Sequence, residues 1–553
     1  MSWIRTIVAV LLGCIGWTSN AFAQDYDLVI NGGRVMDPET MYDEIANVGI
    51  KGHRIVAITK DKITGEETID AKGLVVAPGF IDTQFHSLTP FGIKMALRDG
   101  VTTALDLENG ILNTAEWYDA KANKWQVNYG ATVGLGYVRM VVHDGLDIRG
   151  GLDTPIATPL LAKAAADGVP GWSVTRSNID QMNQITARID EELRQGALGV
   201  GGLLAYMAKG VTTYEMYAVQ RTAARYGRLT DFHHRFHLSS QTPTEAPLGF
   251  DEVFTNAFLT DAPLLMAHNN DYGWWEIEEK LQLARKKGAN MWSEHYPYTT
   301  GSTIISADFL APAKWEAKQG YKYEETIYDP QQDKKLNKEE FLAIVKSDPG
   351  RIIIVDFPAR KKWLPYWLRM EHMTVASDAI PGTDSKGKLL DWDAPYEAFA
   401  GHPRTAGAHA ATLRLAREAS VPLMHSLSQL SYWSALHLGK AGLESMKVRG
   451  RLQKGMVADI TIFDAANVKD NAGYKVGTNG LPSTGIPYVI VNGTIVVKES
   501  KVLKDVFPGQ PIRYPVESKG RFEPLDVKGW VNIHAVPLVE HDEGAVANWP
   551  KTK

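Results

Sequence analysis

From residue 75 to residue 378 the sequence keeps one rhythm, a short β-branched apolar run followed by a longer charged amphipathic stretch. The β-like runs lie at 75–86, 102–107, 131–138, 196–204, 229–235, 263–268, 290–296 and 373–378, and stretches such as 179–195 and 276–287 carry helical periodicity between them. Eight strands alternating with helices predict an α/β chain folded as a TIM-like (β/α)8 barrel. Polar and ionisable residues gather where these runs end, and the C-terminal rim is where such a barrel carries its chemistry.

The flanks read differently. From 24 to 74 short β runs alternate with turn signals, Asn31-Gly32-Gly33 and Lys51-Gly52-His53 among them, and predict hairpins in a small antiparallel sheet. Similar runs return around Ile460 and Val489, so the two segments predict one discontinuous β-sandwich built from both chain ends. The expected divisions are 24–74 and 446–515 for the sandwich, 75–445 for the barrel, and 516–553 for a tail that wraps the surface or a neighbouring subunit in a homo-oligomer. The stretch 302–370 is too long for a single βα connection and predicts an inserted subdomain or lid, with Trp315, Trp363 and Trp367 in its core or lining an apolar pocket.

Composition narrows the class. A length of 553 residues, 44% hydrophobic and 22% charged, describes a large soluble enzyme-sized chain, and a formal charge of −5 argues against nucleic acid as a partner. Residues 1–23 have the layout of a cleaved export signal, with Arg5, an apolar run too short for a membrane span, and Ala21-Phe22-Ala23. A lipoprotein box ending at Cys14 is the minor alternative, and Cys14 is the only cysteine, which rules out an intrachain disulfide. The expected location is periplasmic or secreted.

The strand ends supply the chemistry. The first run closes in Gln84-Phe85-His86, with alternate side chains on one face. The second leaves Asp106, Glu108 and Asn109 as alternatives. In the fifth, alternation sends His233 and Arg235 into the cavity together and His234 toward the helices, while the sixth ends an apolar strand in His268. Asp378 ends the last run, placed either to cap the following helix or to touch a metal and take a proton from water.

These pieces, with Gly-Val-Thr-Thr at 100–103, Tyr-Pro-Tyr-Thr-Thr-Gly-Ser at 296–302, His402-Pro403-Arg404 and the closing run 450–460, resemble in order and spacing the N-acyl-D-amino-acid deacylases of the amidohydrolase superfamily. The resemblance covers most of 26–510 and implies hydrolysis, with zinc, of the amide bond of a small N-acyl amino acid. It implies a tightly held zinc on Glu108, His233 and His268, and a second, weaker position on His86 and Asp378. There the family pattern His-x-His has lost its first imidazole to Gln84, a poor substitute, so one catalytic zinc is expected. The family's bridging cysteine is missing too, and a carboxylate at 108 replaces it better than the neutral amide of Asn109. A family lysine is replaced by Asn270, which leaves Arg404, Arg235 and Tyr298 as candidates to hold the substrate, with Asp378 as the catalytic proton carrier. A dipeptidase or a cyclic amide or lactone hydrolase on the same barrel is the alternative. A secreted binding protein on a decayed barrel is the alternative outside catalysis.

Overall fold

The structure, a computed structural model, describes residues 26–153, 171–235 and 245–536; the expected export signal and Cys14 lie outside them. Eight parallel strands form the central sheet in chain order: Phe80–Asp82, Val101–Ile111, Asn128–Gly134, Gly199–Leu203, Leu229–His233, Leu264–Met266, Met291–His295 and Met373–Val375. The last strand meets the first just above the ladder, where Phe85 bridges Ala379 and the Ala379 amide donates to the Gln84 carbonyl at 3.1 Å. That contact closes the barrel at the level of the predicted site.

Alternation explains which residues line the interior. Phe232, Leu264, Met266 and Met291 pack outward with Ile277 and Leu281 of the helix Trp274–Lys286, while Leu265 and Trp292 fill the barrel with Ile81, Leu105 and Leu229. The run expected as a strand at 131–138 stops at Gly134, and Leu135–Asp144 is helical. Both parts are buried and apolar, so periodicity alone does not separate them.

The first predicted run is divided. Val75–Pro78 belongs to the flanking sheet, between Tyr26–Asp37 and Ile460–Phe463, and only Phe80–Asp82 enters the barrel. Gly79 makes the crossing, since a Cβ there would lie 2.2 Å from the Thr102 hydroxyl. The flanking domain is a mixed sheet of nine strands drawn from both chain ends around one core that includes Ile30, Val48, Ile55, Ile460 and Ile490. Within it Asn31-Gly32-Gly33 is no hairpin. Tyr26–Asp37 runs on as a single strand whose register against Tyr42–Lys51 shifts between Ile30 and Gly33, with Gly32 at φ +66°. The turn residues make a bulge instead.

The insertion forms its own four-stranded sheet, in the order Thr300–Ile304, Ile352–Asp356, Ile327–Asp329, Lys334–Lys335. Trp315 and Tyr323 sit in its core with Phe341 and Ile353, whereas Trp363 and Trp367 pack beside Trp274 and Met373 on the barrel side. No helix among the described residues is long and apolar enough to cross a membrane.

Asp459 joins barrel to flanking sheet. Its carboxylate accepts from Asn128 of the third barrel strand at 2.9 Å and from the Asn492 amide at 2.7 Å, and it pairs with Arg449 at 3.0 Å. Asp459 and Arg449 are both buried, so Asp459→Ala strands the Arg449 charge and is expected to cost about 3–5 kcal/mol. A urea or thermal midpoint equal to that of the parent protein would contradict this role.

Candidate metal centre and active site

Five strand ends bring side chains together over the barrel mouth. The Glu108 carboxylate stands at the centre, with Oε1 3.3 Å from His233 Nδ1 and 3.2 Å from His268 Nε2, and Oε2 3.2 Å from His86 Nε2. Asp378 Oδ1 lies 3.5 Å from the same His86 nitrogen. Two trios therefore share Glu108: Glu108, His233 and His268 on one side, and His86, Glu108 and Asp378 on the other, each with donor atoms within 4.8 Å of one another.

Backbone shape brings two of these side chains in. Regular alternation would send His268 outward with Leu264 and Met266, but its φ of +24° turns it over the mouth, and Asp378 is likewise turned at φ +49°. Left-handed backbone at non-glycine residues costs of order 1–3 kcal/mol each and collects at functional sites. The imidazoles of His233 and His268 then meet edge to face, 4.6 Å between centroids.

Burial alone would push Glu108 up, but His268, His233 and His86 outweigh it and hold the carboxylate well below its usual range. Burial would lower His86, yet Asp106, Asp378 and Glu108 raise it well above an ordinary histidine. Asp378 is pushed up by burial and brought below its usual range by Arg404, His86 and His268. Two other buried carboxyls go the opposite way: burial and their acidic neighbours push Asp231 and Glu294 well up. Negative charge is thus concentrated at the mouth and kept out of the barrel interior. One buried carboxylate with two imidazoles is a donor set that zinc accepts with a fourth position open, so the residues fit the metal.

A cavity of about 150 Å³ opens over the two trios. Its far wall comes from the insertion, with Thr303, Phe309, Val355 and Phe357, and is tied to the barrel by a 3.0 Å hydrogen bond between Thr303 and Tyr206. Arg404, at the start of the helix Arg404–Glu418, is ion-paired with Asp378 Oδ2 at 2.7 Å and lies 4.7 Å over the Tyr296 ring.

No family model matches the chain. D-aminoacylase of Alcaligenes xylosoxydans xylosoxydans is 25% identical over 518 residues, covering 87% of this chain and 96% of that one. N-acyl-D-glutamate deacylase of the same organism is 26% identical over 518 residues, covering 86% and 94%. Among solved structures, D-aminoacylase superposes with a TM-score of 0.67 at 20% identity, covering 89% of this chain and 100% of that one. N-acyl-D-glutamate deacylase from Bordetella bronchiseptica, complexed with zinc and a phosphonate mimic of the tetrahedral intermediate, gives 0.69 at 21%, covering 88% and 100%. Over most of its length the chain is similar to these two deacylases, and its fold is that of the D-aminoacylase structure.

Within this barrel the expected site residues do not all meet. Glu108, His86, His233, His268, Asp378 and Arg404 line one cavity. Arg235 does not: its strand ends at His233, and its guanidinium goes to Glu252 at 2.6 and 3.1 Å and to the Ala208 carbonyl, in a neighbouring cleft. Tyr298 turns away and packs with Ala408 and Ala411. The tyrosine in the cavity is Tyr296, whose hydroxyl accepts from Arg360 at 2.7 Å. Parity does not separate the two, since 296 and 298 both continue the face of 292 and 294; the strand ends at His295 and the chain turns there, with the Tyr298 amide donating to the Tyr296 carbonyl at 2.9 Å. Gln84 is fully buried with neither amide atom partnered and is not part of the cavity wall. Asn109 bonds Tyr137, and Asn270 bonds the Tyr296 carbonyl. Sequence gave no signal for Arg360, which the insertion delivers and which is held by Asp271 at 2.8 and 2.7 Å.

Glu108→Gln keeps the shape and removes the charge. Dialysed protein carrying it is expected to lose metal affinity by more than the roughly 10–100-fold typical of losing an outer-shell partner. Full metal content in that variant would show that Glu108 is no ligand.

Proposed function

We propose that the chain hydrolyses the amide bond of N-acyl amino acids of D configuration, releasing a carboxylate and a free amino acid, with one zinc held tightly by Glu108, His233 and His268. The observation that supports this best is the placement of Asp378, beside the trio yet ion-paired to Arg404 at 2.7 Å. Zinc at the trio supplies Lewis acidity, which makes water a nucleophile near neutral pH and polarises the amide carbonyl.

The chain's own groups do the rest. Asp378, ionised beside Arg404, accepts the proton of the attacking water at its carboxylate and returns it to the amide nitrogen as the C–N bond breaks. Arg404 has its buried Nε without a partner, so the guanidinium keeps donors for the carboxylate of the substrate while it orients Asp378. Tyr296, fixed by Arg360 beneath Arg404, takes the substrate-facing place first assigned to Tyr298. Phe309 and Phe357 shield the reacting bond from bulk water. The leader-like N-terminus supports a role outside the cytoplasm. The intact trio argues against a decayed, purely binding barrel.

The test is a panel of N-acetyl amino acids of both hands on metal-loaded enzyme, with Asp378→Asn alongside. Release of free amino acid from the D series is expected, with turnover falling about 10²–10⁴-fold in the variant while zinc stays bound. Hydrolysis confined to the L series would refute the chirality, and near-normal rates for Asp378→Asn would remove it as the proton carrier.

A further inference from the structure

We propose that Asp106 is a positioning residue that makes His86 a cation ligand, so that a second, weaker site on His86, Glu108 and Asp378 persists although residue 84 is glutamine. The inference rests on the metal-centre reading above and adds a residue to it. Asp106 Oδ1 lies 2.9 Å from His86 Nδ1, and the same oxygen accepts from the backbone amides of Asn109 at 3.1 Å and Gly110 at 3.0 Å. Two backbone donors thus fix where the oxygen stands, and the third place goes to the imidazole.

The consequence is a choice of tautomer. With Nδ1–H given to Asp106, a cation that replaces the Nε2 proton would find the Nε2 lone pair beside Glu108 Oε2, 3.2 Å from that nitrogen, and Asp378 Oδ1, 3.5 Å from it. A carboxylate behind a ligating imidazole fixes its orientation and raises its basicity. Here the support is rigid. Gly110, at φ +70°, brings its backbone so close to the third strand that a Cβ would lie 2.7 Å from the Thr132 carbonyl and the Gly134 amide. Gln84 bridges Asp106 across the two strands but is neutral, and its amide bonds nothing among the described residues. Asp106, 3% exposed, supplies the charge that this flank would otherwise lack.

Asp106 also shapes the register shift within its strand by accepting two amides, and a purely structural role would stop there. Asp106→Asn separates the two, since the amide oxygen can still accept from Asn109 and Gly110 while the charge is gone. Chelator-stripped protein is titrated with Co²⁺, following visible absorbance and heat, for wild type, Asp106→Asn and His86→Ala. Wild type is expected to show a tight and a weak event. Asp106→Asn keeps the tight one and weakens the other roughly 10–100-fold, and His86→Ala loses the weak one. A weak site unchanged in Asp106→Asn overturns the proposal. So does a wild type that binds a single ion, an outcome that leaves the one-zinc deacylase standing. Wild type carries an independent readout in ¹⁵N-histidine spectra with metal bound, where His86, assigned by its loss in His86→Ala, is expected as the Nδ1–H tautomer. An Nε2–H signal overturns the proposal even if Asp106→Asn fails to fold.

Discussion

A single buried carboxylate facing three imidazoles organises this molecule. Glu108 is 2% exposed, and one of its oxygens faces His233 and His268 while the other faces His86. An uncompensated charge at that depth would be expelled or neutralised. The imidazoles hold it ionised, and one of its oxygens stands with His233 and His268 where a cation could be shared. A cation at that point turns mutual tolerance into attraction, which gives the strained approach of the strand ends a reason.

That strain is visible in the backbone. His268 and Asp378 both sit at positive φ, and both follow strands that end early, at Met266 and Val375. The barrel is also closed at this height, by the Phe85–Ala379 bridge, so the first and last strands present His86 and Asp378 from a shared seam. The insertion completes the enclosure from outside, fixing Arg360 against Asp271 and placing phenylalanines opposite the polar mouth. Catalytic geometry here is set by rigid elements, and specificity falls to a wall that the barrel alone does not have.

Much of this is legible in the residues. The eight strands appear because an apolar run bounded by charged helical periodicity has few other readings. Their ends are less legible. Parity extended past His233 reaches Arg235, but the ladder stops at His233 and the chain turns Arg235 to Glu252. At 296–298 parity continued from Trp292 points to Tyr296 and Tyr298 alike, and only the turn after His295 leaves Tyr296 in the cavity and Tyr298 outside it. Asn31-Gly32-Gly33 carried the chemistry of a turn and produced a bulge, because the strand beyond it still had partners. Arg360 reaches the cavity only through the fold of the insertion, so no local pattern marks it.

The central claim is that a metal sits between Glu108, His233 and His268. X-ray absorption at the zinc edge of the purified, zinc-loaded protein tests it most directly. The account predicts a shell of nitrogen and oxygen only, with outer scattering from two or three imidazoles that falls by one when His268 is replaced by alanine. Protein that retains no zinc, or a spectrum without imidazole scattering, would contradict it.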